Sequence, residues 1–205
     1  FRIGIAMLAT AGCDLYRIDK NPESKCRKSN ENRILYIKNN AKKGDILFTN
    51  VTSTRKFDQD SVEKIAEIAR DKNVNVVFLT PIPKWVRLNP GIDQICRNGS
   101  IKQWFRPNGN KICTTYSQID RKVYESKANK TLDSLKRVEQ SYPNFHVFPI
   151  HEFLCDSSKC PSHINGIRLY RDNLGHISIY TGKQYLSSEI RSFLIQRNLI
   201  KKSNP

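Results

Sequence analysis

The sequence predicts an α/β domain built on a mostly parallel sheet. Short apolar runs rich in β-branched and aromatic residues, such as Asp45-Ile46-Leu47-Phe48-Thr49-Asn50-Val51 and Val74-Asn75-Val76-Val77-Phe78-Leu79, read as strands. They alternate with longer amphipathic segments, the order expected of βαβ units, in which a crossover helix returns the chain to a parallel neighbour. At 205 residues the chain 1–205 is the size of one large domain, and a single core is the expectation.

Phe1-Arg2-Ile3-Gly4-Ile5-Ala6-Met7-Leu8 opens the chain, and residues 2–9 read as the first visible strand. There is no initiator Met, so the sequence is expected to be a piece of a longer protein. Gly12-Cys13 and the polar stretch 17–30 read as a loop. A helix follows over 30–43, closed by Gly44 as a C-cap, since glycine reaches the left-handed conformation there without a Cβ penalty. After the strand 45–51, a helix starts at Asp60 or Ser61 and sets Val62, Ile65, Ala66 and Ala69 on one face. The strand 74–79 runs into Thr80-Pro81-Ile82-Pro83.

Residues 84–117 contain Pro90, Gly91, Gly99, Pro107 and Gly109 and read as a long irregular insertion, of the kind that forms or covers a site. Its Trp85, Trp104 and Phe105 either stack on sugar faces or pack the loop itself. A polar helix over 118–140 turns Leu132, Leu135 and Val138 inward, and Pro143 stops it. Residues 145–150 form the last parallel strand. A closing helix runs from Thr181 or Gly182 to about Asn198, with Tyr185, Ile190, Phe193 and Leu194 against the body.

Composition narrows the partners. Lys and Arg total 35 against 19 acidic residues, a net charge of +16, which attracts anionic surfaces. The basic residues are dispersed, without the aromatic-interleaved stripe or zinc-finger spacing of a nucleic-acid module, so no nucleic-acid partner is expected. No apolar run approaches the ~20 residues that span a bilayer.

Six cysteines fall into neighbouring pairs: Cys13 with Cys26, Cys96 with Cys113, and Cys155 with Cys160. Each pair closes a short loop, which a bridge stabilises by roughly 2–3 kcal/mol, and that favours sequential disulfides and an oxidising compartment. Zinc is the rival reading. Only Cys155 and Cys160 with His163 approach its spacing, and a second knuckle is missing, so neither metal nor cofactor is expected.

The strongest chemical feature is Leu169-Tyr170-Arg171-Asp172-Asn173-Leu174-Gly175-His176-Ile177-Ser178. A carboxylate shortly before a histidine on one tight turn can accept the Nδ1–H and fix the tautomer, leaving Nε2 to take a proton from a hydroxyl nucleophile. His146, in a strand, His151, at the start of a short helical segment, and His163, in a loop, are expected to be surface or capping residues. Ser53 and Ser178 lack the strand-to-helix elbow of a nucleophile.

Several blocks together resemble SGNH hydrolase-like domains: Ala9-Thr10-Ala11-Gly12-Cys13, the strand from Asp45 to Asn50, Phe78-Leu79-Thr80-Pro81-Ile82-Pro83, Phe153-Leu154-Cys155-Asp156, and Leu169 to Ser178. The resemblance is to the type found C-terminal to integral-membrane acyltransferases that O-acetylate bacterial surface polysaccharides. It implies a flavodoxin-like three-layer sandwich and a Ser-His-Asp mechanism of acyl-ester transfer or hydrolysis. His176 would be the general base and Asp172 its orienting partner. Gly12 and Asn50 map to oxyanion-hole donors, each contributing about 3–4 kcal/mol to the tetrahedral intermediate.

Two departures qualify the pattern. The commoner spacing is Asp-x-x-His, which would put Asn173 at the acid position; Gly175 can absorb the extra residue. The Gly-Asp-Ser block and its central first strand are absent from this chain and are expected upstream of Phe1, so the chain alone is expected to be inactive. The implied partners are an acyl donor delivered by an upstream membrane domain and a glycan acceptor, with the domain a periplasmic or extracytoplasmic monomer. A non-catalytic carbohydrate-binding or scaffolding module on the same fold is the alternative, in which Asp172 and His176 brace a turn.

Overall fold

A computed structural model describes residues 24–50, 57–83, 118–164, 167–170 and 177–201. The expected strand 2–9 and the insertion 84–117 lie outside the described residues. The chain divides into two compact units, one comprising Phe1–Thr80 and Lys130–Phe148, the other Pro81–Asn129 and Pro149–Pro205.

In the first unit, helix α1 spans Lys25–Asn40, several residues earlier than the expected 30–43. Ser24 starts it by accepting the Arg27 N–H on its hydroxyl, the ordinary work of an N-cap serine. Its first turns carry almost no apolar residue, and only Asn30, Arg33 and Ile37 are buried, so hydrophobic periodicity could not mark its start. The helix ends at Ala41 rather than at Gly44. Gly44 does take a left-handed φ of 89°, but in the turn that leads to the next strand, where its N–H bonds Asn73 O at 3.0 Å.

Strands β1 (Ile46–Asn50), β2 (Asn75–Leu79) and β4 (Phe145–Phe148) form the expected parallel sheet in the order β1-β2-β4. Asn50 pairs with Leu79, and Leu79 with Phe148, so the three strands end level at their carboxyl edge. Helix α2 (Gln59–Asp71) buries Val62, Ile65, Ala66 and Ala69, the face read from their spacing. These side chains pack with Val76, Phe78, Phe145, Leu135 and Val138 into one core. Leu135 and Val138 come from helix α3, Arg121–Ser141, whose later residues belong to this unit. Asn144 locks the corner before β4 by donating its side-chain amide to Ala66 O and Val74 O, both at 3.1 Å.

The second unit is assembled from shorter pieces. Residues 118–120, expected as the start of the long helix, instead form strand β3 (Gln118–Asp120), which pairs antiparallel with β5 (Lys159–Pro161). The last parallel strand stops at Phe148, and Ile150–Leu154 forms helix α4. A two-residue hairpin pair follows, β6 (His163–Ile164) with β7 (Ile167–Arg168). The closing helix begins earlier than expected. A short turn α5 (Ile179–Thr181) passes through a π-helical stretch (Gly182–Leu186) into α6 (Ser187–Gln196). Thr181, Leu186 and Leu194 are its buried residues, whereas Tyr185, Ile190 and Phe193 are half-buried.

Candidate functional site

Of the residues the sequence singles out, Asp172, His176, Gly12, Cys13, Cys96, Cys113, Ser53 and the aromatic residues of the insertion lie outside the described residues. What is described is the frame on either side of the Asp172/His176 segment and, separately, the edge of the sheet that ends in Asn50.

The frame is built from the second unit. After helix α4, Cys155 is joined by a disulfide across a short loop to Cys160 of β5, so this pair has no thiolate to offer a zinc ion. Cys26 is also disulfide-bonded. Asp156 shapes the bridged loop, its Oδ1 accepting the backbone N–H groups of Ser158 and Lys159, both at 2.7 Å. These donors favour the ionised form and hold the carboxyl below its ordinary range. Arg121 ties the same loop to two helices: it pairs with Glu125 at 2.7 Å and Glu152 at 2.9 Å and donates to Asp156 O at 3.2 Å. The two carboxylates push the guanidinium further up.

From Cys160 the chain folds back repeatedly. Leu169 N–H bonds Ser162 O at 2.8 Å, and Ser178 N–H bonds Leu169 O at 2.9 Å. Tyr170 forms an antiparallel bridge with Ile177. The two ends of the 171–176 segment are therefore held side by side, and one of them is anchored deeply, because Leu169 and Tyr170 are both fully buried. Burial drives the Tyr170 phenol well up from its ordinary pKa, and its hydroxyl has no hydrogen-bond partner among the described residues. Tyr124 is also buried, but its hydroxyl donates to Pro81 O at 2.6 Å and its ring lies 5.3 Å from that of His151.

Ser178 closes the frame as the N-cap of α5. Its hydroxyl accepts Thr181 N–H at 3.1 Å and lies 2.8 Å from Thr181 Oγ1. Such side-chain capping is the ordinary structural work of a serine at a helix start. The three other histidines need correction. His146, His151 and His163 are all buried, and His163 lies in strand β6, with Ser162 Oγ 2.7 Å from its Nδ1. Isolated polar residues in short runs give no periodicity from which such burial is legible.

At the sheet, Asn50 is the last residue of β1, half-buried, in register with Leu79 at the carboxyl edge. Ligand sites of open parallel sheets form beyond that edge. Thr80, the residue after β2, is buried, and its N–H is tied to Phe148 O at 3.0 Å. Among the described residues, no group of three His, Cys, Asp or Glu side chains is placed to hold a metal ion.

A family model described as "SGNH domain (fused to AT3 domains)" matches residues 2–191. No curated protein and no solved structure matches the chain.

Proposed function

Because the chain belongs to the SGNH domain family, of the kind fused to AT3 acyltransferase domains, we propose that it carries the base and orienting acid of an enzyme that O-acetylates a cell-surface polysaccharide. The family is one of hydrolases and acyltransferases, and the mixed α/β architecture with its parallel sheet is consistent with the flavodoxin-like SGNH fold. The observation that most supports the finer reading is the closed frame around residues 171–176. The Tyr170–Ile177 bridge brings together the ends of the segment that carries Asp172 and His176.

In this mechanism a serine of an upstream Gly-Asp-Ser block adds its Oγ to the acyl carbonyl carbon while its proton passes to Nε2 of His176. Asp172 accepts the Nδ1–H, which fixes the tautomer and stabilises the imidazolium. Collapse of the tetrahedral adduct expels the donor oxygen, which takes the proton from His176 and leaves an acyl-serine. A glycan hydroxyl then adds to that ester, giving its proton to His176, and the serine leaves with the proton returned. Backbone N–H of Gly12 and the side-chain amide of Asn50 serve as donors to the oxyanion.

The acyl donor reaches the serine from an AT3 membrane domain, and the site is extracytoplasmic. The disulfides at Cys155–Cys160 and Cys26 support that compartment. Among the described residues no helix is long and apolar enough to cross a membrane.

The test is His176→Ala in the full-length protein. Acyl transfer to polysaccharide is expected to fall by at least about a thousandfold. Near-normal transfer by this variant would overturn the assignment and leave the carbohydrate-binding module as the better reading.

A further inference from the structure

The π-helical stretch that follows the Asp172/His176 segment organises an aromatic face that the mechanism above does not use. Ile179 is 76% exposed and Tyr180 is 46% exposed. They stand in the first turn of the closing helix, which Ser178 caps. In an α-helix, residues five apart lie roughly 140° around the axis from each other. A π-helix closes its hydrogen bonds between residues five apart and so stacks them on one side. Here the π stretch over Gly182–Leu186 brings the rings of Tyr180 and Tyr185 to 6.4 Å between centroids at 59°. A π turn is rare and often found at functional sites. Its product in this chain is a pair of tilted tyrosine rings flanked by an exposed isoleucine.

The patch is small. Among the described residues of this unit, Val123 is the one other large apolar side chain left exposed, whereas a stable protein interface takes roughly 20–30 residues a side. Rings of this kind suit a pyranose instead: the C–H face of a sugar lies against an aromatic face, and its hydroxyls stay in water or reach polar neighbours. Lys183 and Gln184, between the two tyrosines in the chain, are exposed. Tyr180 is four residues from His176, so chain length limits their Cα separation to about 15 Å, within reach of a short oligosaccharide.

The geometry points to Ile179, Tyr180 and Tyr185 as a stacking platform for the glycan acceptor. This assignment rests on the acyl-transfer reading for the identity of its ligand, but not for its test. Polysaccharide from the producing cells, stripped of O-acyl groups by mild base, is titrated calorimetrically into the full-length protein. Tyr180→Ala and Tyr185→Ala are each expected to weaken binding by about tenfold. Tyr180→Phe keeps the ring and should retain most of the affinity, and Val123→Ser, elsewhere on the unit, should bind like the parent. Wild-type affinity in Tyr180→Ala overturns the platform. So does an equal loss in Tyr180→Phe, which would assign the effect to the phenol hydroxyl, or in Val123→Ser. Cleavage of p-nitrophenyl acetate by the parent and by His176→Ala, measured alongside, separates the two ideas. Undiminished cleavage in His176→Ala removes the acyl-transfer mechanism, while a ring-dependent affinity keeps the platform.

Discussion

Val76, Val77 and Phe78 of β2 are all fully buried, whereas strands β5, β6 and β7 of the second unit are only two or three residues long. The first unit is held by area: two helix faces and two strand faces close on a shared apolar core. In the second unit the strands are short, and discrete devices add to the burial of residues such as Leu154, Leu169 and Tyr170: a disulfide, the Asp156 turn, the Arg121 fork and the Ser178 cap. The candidate base and acid belong to this second kind of structure. The core of the first unit supplies stability by burial, and the short returns of the second unit hold the described residues on either side of 171–176.

The largest expected effect lies in the core. Phe78 is completely buried, with its ring 5.6 Å from that of Phe145, so Phe78→Ala should cost about 3–5 kcal/mol in urea unfolding. A loss under about 1 kcal/mol would mean that the sheet is not the main store of stability.

Replacing both Cys155 and Cys160 by serine comes next. Opening so short a loop should cost about 2 kcal/mol, and the loss should appear in the amide exchange of residues 159–170 before that of β2. Equal loss of protection in both places would erase the contrast between the units.

Tyr170→Phe tests the anchor itself and carries the opposite sign. The Tyr170 hydroxyl is buried with no partner among the described residues, a penalty in the native state, so its removal should raise stability by about 1 kcal/mol in thermal unfolding. A destabilised variant would show that the phenol has a partner in the folded protein.

Much of the first unit was legible from residue spacing. The recurrence of Val62, Ile65, Ala66 and Ala69 encodes the buried face of α2, and the β-branched and aromatic run from Val74 to Leu79 encodes a strand buried on both sides. The start of α1 was not legible, since lysines, asparagines and serines fill its early turns and only the Ser24 cap marks the boundary. Strands β3 and β5 were missed for another reason. Three residues carry no period, and their pairing depends on partners about forty residues apart in the chain. For the site, the Asp172/His176 segment is visible as a motif, and Asn50 as the end of a strand. The buried anchor at Tyr170 and the Tyr180/Tyr185 pair left no signal, because a lone tyrosine reads the same whether it is a wedge, a platform or a surface residue.

By itself the sequence determined the alternation of strand and helix, the parallel sheet that follows from it and the family, since these depend on local periodicity and the order of blocks. Only the tertiary structure decided that Leu169 and Tyr170 are bound across from Ile177 and Ser178, and that a π turn sets two tyrosines five residues apart on one side of a helix. Both arrangements come from hydrogen bonds whose choice of partner is settled by packing, and the residues that make them would satisfy other partners equally well in an isolated segment.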